Sequence, residues 1–177
     1  MSETPPLQRF FDLGRLSDAG DEIVLAPGAA ELAALAEWVG VSSIESFKAT
    51  IELARKPGNN FLYEARFAVD LTQSCVVTLE PVRAHLEGAF SRDLHLTRVS
   101  RHAVPEVEPL APGAGDDDAP EEITSTSYDI AGPLLEEFSL AIDPYPRAPG
   151  AAFESADGEV EQPDNPFAVL KSLKTGL

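Results

Sequence analysis

The sequence predicts an α+β protein: an antiparallel sheet able to curl toward a barrel, a few helices, an acidic loop and a short C-terminal helix. Three observations carry this. Apolar and polar residues alternate strictly across 63–72, the signature of a half-buried strand. A helix-period apolar stripe occupies 29–40. Beyond residue 102 the composition turns acidic and proline-rich. The 177 residues suffice for one domain with its own core. The expected layout is a single α+β domain over 1–150 with a mobile acidic insertion at about 103–126. An acidic linker at 151–164 and an amphipathic helix at 165–177 follow.

Along the chain, residues 9–13 and 22–26 are short strand-like pieces punctuated by Gly14 and Gly20, and Pro27-Gly28 ends the extended run. In 29–40, Leu32, Leu35, Ala36 and Val39 share one helix face, and Gly40 is a natural C-terminal stop. Ile44, Phe47, Ala49, Ile51 and Leu53 then predict a strand to Arg55, with a slip of phase near Ser46. The turn formers of 56–60 connect it to the strand of Tyr63, Ala65, Phe67, Val69 and Leu71, giving an antiparallel hairpin. A third strand group is expected from Cys75 to Thr97: CVVTLEP, a turn near Pro81, then Val82, Ala84, Leu86, Gly88 and Phe90 on one face.

Residues 103–126 carry four prolines, two glycines and seven acids, so little is left to bury and mobility is expected. Order returns near Ser127. Asp129 to Pro133 opens a helix with proline in its first turn; Leu134, Leu135, Phe138 and Ile142 form its apolar face, and Asp143-Pro144 stops it. Asn165-Pro166 caps the terminal helix, where Phe167, Leu170 and Leu173 recur at a spacing of three. So short a helix must dock to persist, either on its own core or in a partner's groove. For the second case Asn165, Pro166, Phe167, Leu170 and Leu173 are the partner-binding residues.

Thirty acids against thirteen bases give a formal charge of −17, which argues against a protein that coats a phosphate backbone. Residues 103–164 hold sixteen of the acids and only Arg147 among the bases. Between 83 and 102 lie Arg83, Arg92, Arg98 and Arg101 with His85, His95 and His102. They read either as an RNA-contacting edge or as a solvated sheet face paired with the acidic segment. The histidines lack metal-ligand spacing, and Asp116-Asp117-Asp118 lacks the spaced oxygens of a calcium loop, so no metal or cofactor is expected. Cys75 stands alone, without a sequence-local Lys or His, and reads as a buried thiol. Neither a Gly-rich phosphate loop nor a G-x-S-x-G elbow is present, and nothing composes an active site. Without an apolar run of about 20 residues or a leader-like N-terminus, the expected address is the cytoplasm, with no membrane partner.

Three segments carry a resemblance: QSCVVTLEPV (73–82), DIAGPLLEEFSLAIDPYPRAPGA (129–151) and NPFAVLKSLK (165–174). In order and spacing they resemble the YceD family, the large ribosomal RNA subunit accumulation proteins, in an alphaproteobacterial-type form. Many relatives carry C-x-x-C before the Glu-Pro pair; here the matching positions are Cys75 and Thr78, so a metal or redox role for such a pair is not carried over. The resemblance implies a non-enzymatic factor in large-subunit biogenesis and 23S ribosomal RNA accumulation. The expected partner is a ribosomal protein or a pre-ribosomal particle, with direct RNA contact weak. The other reading is an acidic chaperone that shields a basic large-subunit ribosomal protein.

Overall fold

The computed structural model describes residues 5–97 and 120–152. Its elements are β1 (Phe10–Asp12), a 3-10 turn (Leu13–Arg15), β2 (Asp21–Leu25), α1 (Ala29–Val39), β3 (Ser43–Lys56), β4 (Asn60–Ser74), β5 (Pro81–Leu96), β6 (Glu121–Ile123), β7 (Ser127–Asp129) and α2 (Ala131–Ala141). The class is α+β. The main sheet has the order β2-β3-β4-β5-β6, and β1 pairs with β7 in a second, two-stranded sheet. Only β6 runs parallel to its neighbour, so the main sheet is mixed, and it stays open rather than closing into a barrel.

Each element follows from local chemistry. In α1 the buried pair Leu35 and Ala36 faces the sheet, flanked by half-buried Leu32 and Val39. Glu31 reaches back to the Gly28 N–H at the helix start, and Gly40 closes the other end at φ 76°, a left-handed turn that favours glycine. The β3–β4 hairpin forms as expected, joined through Pro57, Gly58 and Asn59. The phase slip near Ser46 is a β-bulge: Ile44 pairs with Leu71 but Ser46 with Asp70, leaving Glu45 as the extra residue. The bulge brings Ile44 and Phe47, three apart, onto the same buried face.

The core lies between one face of the sheet and the two helices. Phe61, Tyr63, Ala65, Phe67, Val69 and Leu71 alternate inward along β4. Phe138 of α2 is fully buried and meets Phe47 and Phe67 edge-on, with centroids 5.3 and 6.4 Å away. The buried Tyr63 hydroxyl donates to the Ile130 carbonyl at 2.8 Å, fixing the start of α2. Pro133 sits in the first turn of α2, where its missing N–H has no intrahelical partner to lose.

Two expectations change. CVVTLEP is not a strand: β4 ends at Ser74, residues 76–78 form a turn, and β5 starts at Pro81. Residues 120–126, placed by composition in the mobile segment, contain β6, whose Glu121, Glu122 and Ile123 pair with Leu94, His95 and Leu96. Ile123 is buried there, which offsets the acidity around it. The remainder of the acidic insertion, the linker beyond Ala152 and the terminal helix at 165–177 lie outside the described residues. Among the described residues, no helix is long and apolar enough to cross a membrane.

Candidate functional site

Two of the segments that carry the resemblance, some seventy residues apart, meet at one end of the sheet. The turn after β4 is closed locally by the Cys75 N–H donating to the Glu80 carbonyl at 2.8 Å and the Leu79 N–H donating to the Cys75 carbonyl at 3.0 Å. It is then stapled to the chain leaving α2. The Val76 N–H donates to the Pro146 carbonyl at 2.9 Å, and the Gln73 amide donates to the Asp143 carbonyl at 2.8 Å.

The Cys75 sulfur is the knot of this joint. It is fully buried, as expected, but its surroundings are polar: it accepts N–H groups from Ala148 at 3.3 Å and from Val77 and Thr78 at 3.4 Å. These donors, led by Ala148, hold the thiol down to about 6. No charged neighbour is required, which is why a search for adjacent Lys or His in the sequence misses the effect.

Around the joint exposed apolar side chains stand among exposed Ser74, Thr78, Glu80, Asp143 and Arg147. Six large apolar side chains stand exposed among the described residues, and four of them, Val76, Leu79, Leu140 and Tyr145, belong to these two segments. Leu79 is 77% exposed and its backbone is left-handed, at φ 63°. A bulky residue in that region costs roughly 1–2 kcal/mol, and here the cost holds a leucine out into solvent. Trp38, Val39, Ser139, Ile142 and Pro144 line a groove between the ends of α1 and α2. Sequence reasoning placed Val76 and Leu79 in a strand, left Leu140 off the apolar helix face and did not single out Tyr145; the available signal was a Leu in the turn before Glu80-Pro81.

The arginines do not form one patch. Side chains alternate along β5, so exposed Arg83 and half-buried Arg92 stand on opposite faces of the sheet. Arg92 is occupied: Glu136 lies at 2.8 Å, Glu137 at 3.5 Å and Glu121 at 3.6 Å. Its pairing with Glu121 matches the reading in which the acidic segment neutralises this stretch. Arg98 and Arg101 lie outside the described residues, as do His102 and the partner-binding residues Asn165, Pro166, Phe167, Leu170 and Leu173.

On the open sheet face Ser46, Asp70 and His85 gather, the residue types of a hydrolase triad, but their wiring differs. The Ser46 hydroxyl donates to Asp70 at 2.6 Å, and His85 Nδ1 meets the other Asp70 oxygen at 2.6 Å, so no base faces the serine. His85 Nε2 lies 3.3 Å from Glu87. The Asp70 hydrogen bond, then Glu87, raises the imidazole above its ordinary value, and Ser46 with His85 lowers Asp70. His95 meets Asn60 Oδ1 at 2.6 Å. Among the described residues, no group of three or more His, Cys, Asp or Glu side chains is placed to hold a metal.

Fold and joint together define an open-sheet α+β protein in which the turn after β4 is stapled to the chain leaving α2. Among known proteins, no family model, curated protein or solved structure matches the chain.

Proposed function

We propose that the protein is a non-enzymatic factor supporting large ribosomal subunit biogenesis and 23S ribosomal RNA accumulation, acting through protein or ribonucleoprotein contacts at the end face around Cys75. The observation that carries this reading is the placement of Val76, Leu79, Leu140 and Tyr145: exposed, and within the segments that resemble the YceD family. Exposed apolar side chains around a buried hydrogen-bonded joint are suited to a protein partner. In this reading the segment from Asn165 to Leu173 supplies a second contact. Recovery of partners from lysate by the full chain, with and without ribonuclease, tests it. A ribosomal protein or pre-ribosomal particle should be recovered and should weaken with Leu79→Asn or Tyr145→Ser. Equal recovery by both variants would contradict the assignment of this face.

One observation favours the alternative, an acidic chaperone for a basic large-subunit ribosomal protein. Glu22, Glu52 and Glu64 stand in register across β2, β3 and β4 on the open face. Like charges directly opposite are unfavourable, and Arg66 answers only Glu52. A lysine- and arginine-rich segment laid across this row would neutralise it. Binding of a basic ribosomal protein that survives ribonuclease and is lost on Glu52→Gln/Glu64→Gln would favour this reading.

A further inference from the structure

Both helices of the fold end at one groove. Trp38 and Val39 close α1, Ser139 stands in the last turn of α2, and Ile142 and Pro144 follow it; together they line the groove. Trp38, Val39 and Ile142 pack against the core yet stay half-buried, so part of their apolar surface is left to water. Neither helix has a basic residue in its last turn, and among the described residues no Lys or Arg lines the groove. Asp143, exposed, stands in the chain between Ile142 and Pro144. An apolar groove thus lies at two helix C-termini whose partial negative charge has no local cation.

We infer that this groove seats the chain's own segment from Asn165 to Lys174, as a helix with Phe167 and Leu170 inserted. Charge selects this occupant. Lys171 and Lys174 are the only basic residues after Arg147. Each stands four residues beyond an apolar anchor, Lys171 after Phe167 and Lys174 after Leu170, which on a helix is the same side. With Phe167 and Leu170 in the groove, both ammonium groups come to its rim, where helix C-termini favour cations.

Reach selects it as well. Pro144 lines the groove, and Pro146 and Ala148, close behind it in the chain, are held at the Cys75 joint. The described chain therefore leaves from beside the groove. The twelve residues of 153–164 separate that exit from Asn165, and fully extended they span roughly 40 Å. A tether of this length holds the segment near its groove at an effective concentration on the order of millimolar, an advantage that a separate partner or a second copy lacks. Seating also meets the segment's own need, since a helix under roughly 12–15 residues does not persist alone. It sets a condition on the partner contact proposed for Phe167: the groove competes for that side chain, and a partner takes it only once it is released.

Trp38 is the only tryptophan of the chain and lines the groove, so its fluorescence reports occupancy in the full-length protein. Wild-type emission should lie at shorter wavelength, and be quenched less by acrylamide, than emission from Phe167→Ala/Leu170→Ala. Amide exchange supplies the second readout. The amides of 167–173 should be protected in the wild type. That protection should be lost in the double variant and in Ser139→Arg, which puts a bulky cation into the groove from an exposed position. Protection of the β4 amides should persist in both variants, showing that the fold is intact. Unprotected 167–173 amides in the wild type, or Trp38 emission indifferent to the double substitution, would overturn the inference. Protection that survives Ser139→Arg would put the segment elsewhere, and protection that falls on dilution would put it in the groove of a second copy; either result also overturns it.

Discussion

At the scale of single residues, the structure makes Cys75 and His85 measurable. The Cys75 thiol is held down to about 6 from an ordinary value of 9.0 by Ala148, Thr78 and Val77. A group whose folded value is depressed contributes stability present above its unfolded value and lost as pH falls through the folded one. The melting temperature of the wild type should therefore drop as pH is lowered from about 9 to about 6, with that slope reduced in Cys75→Ala. Absorbance of the thiolate near pH 7, absent from Cys75→Ala, would agree; a thiol that ionises only near its ordinary value would not. For His85 the sign is opposite. Its raised value gives stability present below 6.5 and lost as pH rises through the folded value. In an NMR titration Asp70→Asn should lower the His85 midpoint, and an unchanged midpoint would remove Asp70 as the cause.

At the scale of elements, the strongest expectations concern α2 and the β4–β5 pair. Truncation of Phe138, fully buried against Phe47 and Phe67, should cost about 3–5 kcal/mol in denaturant unfolding. Gly88 lies beneath the Phe67 ring, which a Cβ would overlap. Gly88→Val should destabilise by roughly 1–3 kcal/mol, whereas Ala89→Val on the exposed face should change little. These elements were legible in the sequence because local pattern and final environment agree. The helix of 29–40, the slip near Ser46 and the proline-opened helix after Asp129 each needed only period, turn chemistry and capping. What escaped was non-local. CVVT reads as a strand until Ala148, from the far end of the chain, joins Val77 and Thr78 on one sulfur. Glu121 to Ile123 reads as solvated charge until β5 offers an edge and the core takes Ile123. Arg83 and Arg92 read as one patch until the unbroken register of β5 on β4 sets their parity and puts them on opposite faces.

At the scale of the whole molecule, charge and apolar surface occupy different places. The open sheet face carries the Glu22–Glu52–Glu64 row, while four of the exposed apolar side chains belong to the two segments that meet at Cys75. A net charge of −17 opposes contact with bare nucleic acid, so nonspecific duplex binding should be weaker than the roughly 10⁻⁴–10⁻⁶ M of dedicated binders. Gel-shift titration at physiological salt checks that. Leu79 keeps an unfavourable backbone conformation while its apolar side chain stands in water. Asparagine tolerates that conformation better than leucine. Leu79→Asn should therefore leave the melting temperature unchanged or raise it, by up to about 1 kcal/mol of added stability. The same substitution should impair the proposed role. The most direct measurement is a sucrose-gradient profile with 23S ribosomal RNA quantified, in cells whose only copy carries Leu79→Asn at wild-type abundance. A deficit of free and assembled large subunits is the predicted result. A wild-type profile from a folded, fully abundant variant would contradict the assignment of the end face to large-subunit assembly.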